Sequence, residues 1–202
     1  MEDRTAKLHE LQKLLTDLIK VERNHSIPGT DRHENVVEHS FSLAILCWRL
    51  FEELRPPLDI AKILKYSLVH DFPERGQTQD INTYAKDHER ETKQELEAKQ
   101  LLALSHEFAD FPDFVISLRD YESRSDEESL FVWSVDKMQA IILGQIDNWR
   151  PYQTYGVTYA QFCAKGEEFL SKCSPYLKDV FREVYEEGRR TYYDQPATHP
   201  KA

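Results

Sequence analysis

Two histidines and two aspartates stand where the sequence is otherwise apolar. His39 heads a run from Phe41 to Leu54, and His70 and Asp71 close another, near Ile60 to Val69. Asp136 lies in Ser-Val-Asp-Lys-Met, just after Phe131-Val132-Trp133. Taken alone, a histidine on an apolar helix is usually a hydrogen-bonded core residue. An ionised carboxylate in such surroundings is costly unless it is paired or bound to a cation. Two imidazoles and two carboxylates so placed invite one shared divalent ion. Plainer partners exist for each aspartate: backbone amides beyond the helix end for Asp71, an arginine for Asp136.

An ion held by these four groups keeps coordination positions open. It lowers the pKa of bound water to about 7 and polarises a phosphoryl oxygen. Hydrolysis then needs a proton carrier. Glu74 follows Asp71 by three residues and Asp80 lies in the same loop. Either carboxylate could position the attacking water or protonate the leaving oxygen; taken singly, each reads as a solvated loop residue. Arg23 and Arg32 flank the segment leading to His39, and a guanidinium there could fork a phosphate. The default for both arginines is a surface salt bridge.

These residues need helices to hold them. Leu8, Leu11, Leu14, Leu15, Leu18 and Ile19 have helical spacing, which predicts a first amphipathic helix over 5–22. Pro28-Gly29 signals a turn within 23–33. A mostly apolar helix over 34–54 reads as central, and Pro56-Pro57 ends it. Asp59 caps a helix running to about Asp71. Residues 72–84 read as loop, and Asn82 to about His106 as a solvated helix docking by its C-terminal end. A short helix covers 113–121. Asp126 caps a long helix to about Asn148, with Leu130, Phe131, Val135, Met138, Ile141 and Ile142 on its buried face. A loop over 151–158, a helix to about Lys172 and a last helix opened by Ser174-Pro175 complete the pattern. The expectation is all-α, one bundle of roughly eight helices without a strand. The domain spans 1–193, with the site motifs within 23–136, C-terminal helices over 158–193 and a frayed tail over 194–202. The aromatic residues of 151–202, Tyr152, Tyr155, Tyr159, Phe162, Phe169, Tyr176, Phe181 and Tyr185, read as core and helix packing rather than a base-stacking site.

Composition narrows the partners. The 202 residues carry a formal net charge of -10, with 40% hydrophobic and 31% charged residues and only six glycines. Such a balance opposes binding of a long nucleic acid, yet allows a small anion held by a metal and a local arginine. Cys47, Cys163 and Cys173 form no C-x-x-C pair, and no apolar run is long enough to span a bilayer. With a polar start, Met-Glu-Asp-Arg-Thr-Ala-Lys, these features lead to the expectation of a cytoplasmic protein with reduced thiols and no membrane partner.

The ordered set His39, His70-Asp71 and Asp136 resembles the HD-domain metal-dependent phosphohydrolases. The surroundings are more specific. Arg32-x-Glu34-Asn35-Val36-x-Glu38-His39-Ser40, then His70-Asp71-x-x-Glu74, Asp80 and Asp126-Glu127 before Asp136, are similar to the 5'-deoxynucleotidase branch over about residues 5–150. The resemblance implies an all-helical, usually homodimeric enzyme that hydrolyses deoxyribonucleoside 5'-monophosphates with one divalent metal, Co, Mn, Mg or Zn. It implies His39, His70, Asp71 and Asp136 as metal ligands, Glu74 as the catalytic glutamate, Asp80 as an acidic residue that also meets the sugar, and Arg23 as the phosphate-binding arginine. Gln79 stands where the family commonly has glycine, and Asn24 where it often has an aromatic or apolar residue. The Asp80 and Arg23 matches each need one extra loop residue. Two other readings stand beside this one. His88 and His106 would supply a second metal in a dinuclear HD phosphodiesterase or oxygenase. A non-catalytic helical binding protein with a vestigial site is the third.

Overall fold

The computed structural model describes residues 3–77, 84 and 87–193. Among them, nine α-helices and one small hairpin form the fold: α1 (Arg4–Leu18), β1 (Glu22–Ser26), β2 (His33–Asn35), α2 (Val36–Leu54), α3 (Ile60–Val69), α4 (Asp87–Glu107), α5 (Pro112–Ser123), α6 (Glu127–Ile146), α7 (Arg150–Thr154), α8 (Tyr159–Lys172) and α9 (Lys178–Tyr193). Short 3-10 turns at Phe72–Glu74 and Pro175–Leu177 complete it. The all-α expectation holds apart from the hairpin. The start predicted at Asn82 for the solvated helix, and the tail 194–202, lie outside the described residues.

The hairpin corrects the reading of 23–33 as irregular. β1 and β2 pair antiparallel, Glu22 opposite Asn35 and Ser26 opposite His33. Its loop turns at Gly29, whose φ of 79 suits a residue without Cβ. The strands escape notice in the sequence because Glu22-Arg-Asn-His-Ser26 has no apolar alternation. They also shorten α1, which ends at Leu18 so that Val21 can bury beside Val36.

Helix α6 is the axis of the molecule. It is buried on nearly every side, through Phe131, Val132, Trp133, Val135, Met138 and Ile141, and packs on α2, α3, α5 and α9. The sequence gives that central place to α2. In the structure α2 buries only Val36, His39, Ser40, Leu43, Ala44 and Cys47, one face, and leaves Phe41, Ile45 and Trp48 outside. The apolar pattern there is all round, so periodicity could not separate a core helix from one with a greasy outer face. The predicted 151–158 loop contains the short α7. Trp149, in the left-handed region at φ 62, turns the chain back onto α6. Gly144 permits that return, since a Cβ there would come within 2.8 Å of the Trp149 and Tyr152 rings.

Two apolar clusters fill the interior. One gathers around α6, α8 and α9 and includes Leu43, Ile63 and Tyr66. The other lies under α1, α5 and the end of α4 and includes Val36, Val69 and Phe72. His39 sits in α2 between Val36 of one cluster and Leu43 of the other, and His70 follows Tyr66 and Val69 in the same way. The polar residues singled out above therefore lie at the seam where the two cores meet.

Candidate metal centre

Much of the Arg32–Ser40 stretch is a device for starting α2. Asn35 Oδ1 accepts the amides of Val37 and Glu38, each at 3.0 Å, and Glu38 Oε2 accepts the Asn35 amide at 3.0 Å. This reciprocal cap satisfies amides that the helix cannot. Arg32 forks Glu38 through two hydrogen bonds of 2.8 Å and is exposed. It follows the salt-bridge default and takes no part in the centre. The cap fixes the first turn of α2 and so aims His39 inward, 2% exposed.

His39 Nε2 lies 3.1 Å from Asp136 Oδ1 of α6 and 3.9 Å from Asp71 Oδ2. His70, at the C-terminus of α3, holds its Nδ1 3.0 Å from the Ser67 carbonyl. A carbonyl only accepts, so Nδ1 carries the proton and Nε2 presents its lone pair. That lone pair is buried, 3.1 Å from Asp71 Oδ2, and finds no hydrogen-bond donor among the described residues. The ring rests edge-on against Tyr121, with centroids 5.7 Å apart. Ligand atoms of His39, His70 and Asp136 all lie within 4.8 Å of one another, and Asp71 borders them through the two contacts above.

These spacings fit one divalent ion. Ligands about 2.1 Å from a shared octahedral ion stand about 3.0 Å apart when adjacent and about 4.2 Å apart when opposite. The contacts of 3.1, 3.1 and 3.9 Å fall in that span. The donor set of two imidazole nitrogens and two carboxylates suits Mn, Co, Zn or Mg. Glu34 Oε1, 3.4 Å from His39 Nδ1, is placed to orient that imidazole from behind. Its position five residues before His39 gave no sign of this role.

Charge at the centre is partly compensated. Arg23 projects from β1 and pairs with Asp71. It also lies 3.9 Å from Asp136 Oδ1 and 3.7 Å from Glu34 Oε1. Lys137 donates to Asp136 Oδ2 at 2.6 Å. The arginine expected as the plain partner of Asp136 thus pairs more closely with Asp71, for which backbone amides are the expectation, while Lys137 takes Asp136, and both cations stand beside the imidazoles rather than in place of them. Burial opposes ionisation of Asp71, but in the metal-free site His70, when protonated on Nε2, and Arg23 outweigh it and hold the carboxyl well below the usual range. Burial likewise opposes ionisation of Asp136, and Lys137, His39 and Arg23 overcome it. Burial and Arg23 disfavour the imidazolium of His39, yet Asp136 and Glu34 prevail and raise its pKa.

Glu74 is 3% exposed in the turn that follows Asp71, and its Oε1 accepts from Lys93 of α4 at 2.8 Å. Lys93 escaped notice because it lies in a charged segment where a solvated face is the default. Asp80 lies outside the described residues. His88 and His106 do not form a second metal site together. Both are exposed, and their separation along α4 is roughly 27 Å at about 1.5 Å per residue. The three cysteines are free; burial pushes Cys47 up to about 12, as suits an inert core thiol.

Arg23 and Asp136 also form one end of a pocket whose walls include Asn24, Tyr152, Tyr155 and Phe162. The aromatics of the C-terminal third thus reach the centre. Tyr152 and Phe162 are core residues as expected, whereas Tyr155 is not buried.

The fold has close counterparts. A structure from Magnetospirillum magnetotacticum MS-1, described as a predicted metal-dependent phosphohydrolase, superposes with a TM-score of 0.75 at 21% identity, over 95% of this chain and 98% of that one. A Pyrococcus horikoshii OT3 protein gives 0.62 at 23% identity, over 89% and 98% of the two chains. A conserved hypothetical protein of Pyrococcus furiosus gives 0.57 at 25% identity, over 90% and 99%. No curated protein shows a significant sequence match. The model of the HD domain matches residues 15–178, a span that contains His39, His70-Asp71, Asp136 and the helices that bring them together, and the chain therefore belongs to the HD-domain family.

Proposed function

We propose that this chain is a metal-dependent phosphohydrolase that converts deoxyribonucleoside or ribonucleoside 5'-monophosphates to nucleoside and phosphate. The carrying observation is the convergence of His39, His70 and Asp136 from α2, the α3 end and α6 at ligand spacing, with Asp71 beside both imidazoles. The description of the Magnetospirillum structure supports the reaction class. The nucleotide rests on the resemblance of the motifs to the 5'-deoxynucleotidase branch.

His39, His70, Asp71 and Asp136 would hold one divalent ion, which supplies a water acidic enough to attack at neutral pH and a Lewis acid for a phosphoryl oxygen. Arg23, at the rim of the ligand set, binds a phosphate oxygen and fixes the ester for in-line attack. Glu74 takes the proton that the attacking water releases and returns it to the leaving 5' oxygen. Lys93 holds the Glu74 carboxylate in place from α4. Asp80 keeps the sugar-facing role that the resemblance implies. The same reading includes a homodimer.

Phosphate release from a panel of deoxynucleotides and ribonucleotides, with Mn, Co or Mg added, tests the proposal. Turnover of 5'-monophosphates is expected. Metal-loaded protein inert on the whole panel but active on another phosphate ester would overturn the substrate, and inertness on every ester would overturn the hydrolase. The vestigial-site reading would then be the better one.

A further inference from the structure

Tyr155 differs from its aromatic neighbours. Tyr152, Phe162, Phe181 and Tyr185 are buried, while the Tyr155 ring is 40% exposed at the end of α7. Its hydroxyl donates to Asn24 Oδ1 at 2.7 Å. Asn24 is 7% exposed and follows Arg23 on β1, so the bond ties the ring to the strand that carries the arginine of the centre. A half-exposed tyrosine ordinarily turns its hydroxyl to water. Here the hydroxyl is anchored to buried Asn24 and the ring is a half-exposed wall of the pocket.

The pocket is chemically mixed. Arg23, Asp136 and Lys137 line it together with Tyr152, Tyr155 and Phe162. A ligand that satisfies both kinds of lining carries an anion and a flat, weakly polar group. The pocket's volume is about 70 Å³, about half the roughly 150 Å³ cavity that takes one benzene ring. A nucleobase would overfill it, so the base is expected against the half-exposed wall that Tyr155 supplies.

We infer that the Tyr155 ring, set by its bond to Asn24, is the platform on which the base of a nucleoside 5'-monophosphate stacks while Arg23 holds the phosphate. This rests on the phosphohydrolase reading and assigns the leaving-group side of the same site. Asn24 is a positioning residue, acting through the tyrosine hydroxyl. Stacking of a base on an aromatic ring changes affinity by roughly 5- to 150-fold.

Two readouts test it. In turnover, the ratio of kcat/KM for deoxyadenosine 5'-monophosphate to that for glycerol phosphate, an ester without a ring, should fall about tenfold in Tyr155→Leu, through KM more than kcat. Tyr155→Phe keeps the ring and should stay within about threefold of the wild type. In binding, calorimetry with deoxyadenosine alone needs neither phosphate nor turnover, and Tyr155→Leu should bind about tenfold more weakly. An unchanged ratio in Tyr155→Leu would overturn the platform and leave the phosphohydrolase standing. If no ester is turned over, the functional reading fails and calorimetry still decides: equal binding by wild type and Tyr155→Leu, or none by wild type, overturns the platform. Thermal unfolding of each variant confirms that the comparison is between folded proteins.

Discussion

Arg23 and Asp71 lie 48 residues apart in the chain and meet as an ion pair beside the two imidazoles. One guanidinium shared among Asp71, Asp136 and Glu34, with Lys137 at Asp136, sets two permanent positive charges against three carboxylates at low exposure. A divalent ion on the ligand set adds the missing charge, so metal should stabilise the fold as well as enable turnover. Manganese at about 100 times its Kd should raise the unfolding free energy by about 2.7 kcal/mol. Asp136→Ala should abolish that gain, the bound metal and the activity together. Denaturant unfolding with and without metal, alongside metal counting, checks this; one equivalent per wild-type chain is expected. An Asp136→Ala protein that still binds one equivalent would remove Asp136 from the ligand set.

Glu74 occupies a different position from the ligands. It is buried in the 3-10 turn, and a lysine rather than an imidazole approaches it. Glu74→Gln keeps the shape and the Lys93 contact but cannot carry a proton. The variant should bind metal as the wild type does and lose roughly 10²- to 10⁴-fold in kcat. Single-turnover phosphate release on metal-loaded protein gives the answer. Wild-type turnover by Glu74→Gln would leave the proton carrier unassigned.

His39, His70, Asp71 and Asp136 were legible in the sequence because each interrupts an apolar run, where an ionisable group needs a reason to be. The helices around them were legible for the same reason. What stayed hidden arises from contacts between remote segments. The hairpin that delivers Arg23 is polar throughout, and its pairing depends on β2, not on local pattern. Glu34, Lys93 and the Asn24–Tyr155 bond, with partners 131 residues apart, leave no local trace. Conversely, Arg32, Asn35 and Glu38 carry part of the motif that looked functional, and their work is to begin a helix.

Asp126 links stability to pH. It caps α6 by accepting the Ser129 amide at 2.7 Å, and it also accepts from the buried Tyr66 hydroxyl at 2.8 Å and pairs with Lys62 at 2.7 Å. Burial opposes its charge, but Lys62, the Ser129 amide and Tyr66 prevail and lower its pKa. A folded pKa below the unfolded value of about 3.9 gives stability that is complete above that value and lost as pH falls through the folded one. Asp126→Ala should therefore cost about 2 kcal/mol at pH 7, from the lost cap and the stranded Tyr66 hydroxyl. The gap to wild type should narrow steadily as pH falls below about 4. Urea unfolding at several pH values measures it. A gap that stays constant down to pH 2 would show that the carboxylate's charge plays no part.

The proposed homodimer has a natural surface on α2. Phe41, Ile45 and Trp48 recur at helical spacing and are 64%, 47% and 51% exposed, with Leu68 of α3 at 48%. Scattered apolar side chains are common on a monomer, but three large ones in one stripe of a single helix are where the proposed dimer is expected to form. A stripe of this kind is self-complementary when two copies meet about a two-fold axis, since the same residues face each other. The opposite face of α2 carries His39, so pairing there would brace the helix that holds a metal ligand without covering the pocket residues. Trp48→Glu places a charge in that stripe, where desolvation in a paired state is expensive. Sedimentation of the wild type should give a dimer and that of Trp48→Glu a monomer, with helix content unchanged by circular dichroism. A monomeric wild type, or a dimer untouched by Trp48→Glu, would rule out this face as the dimer interface.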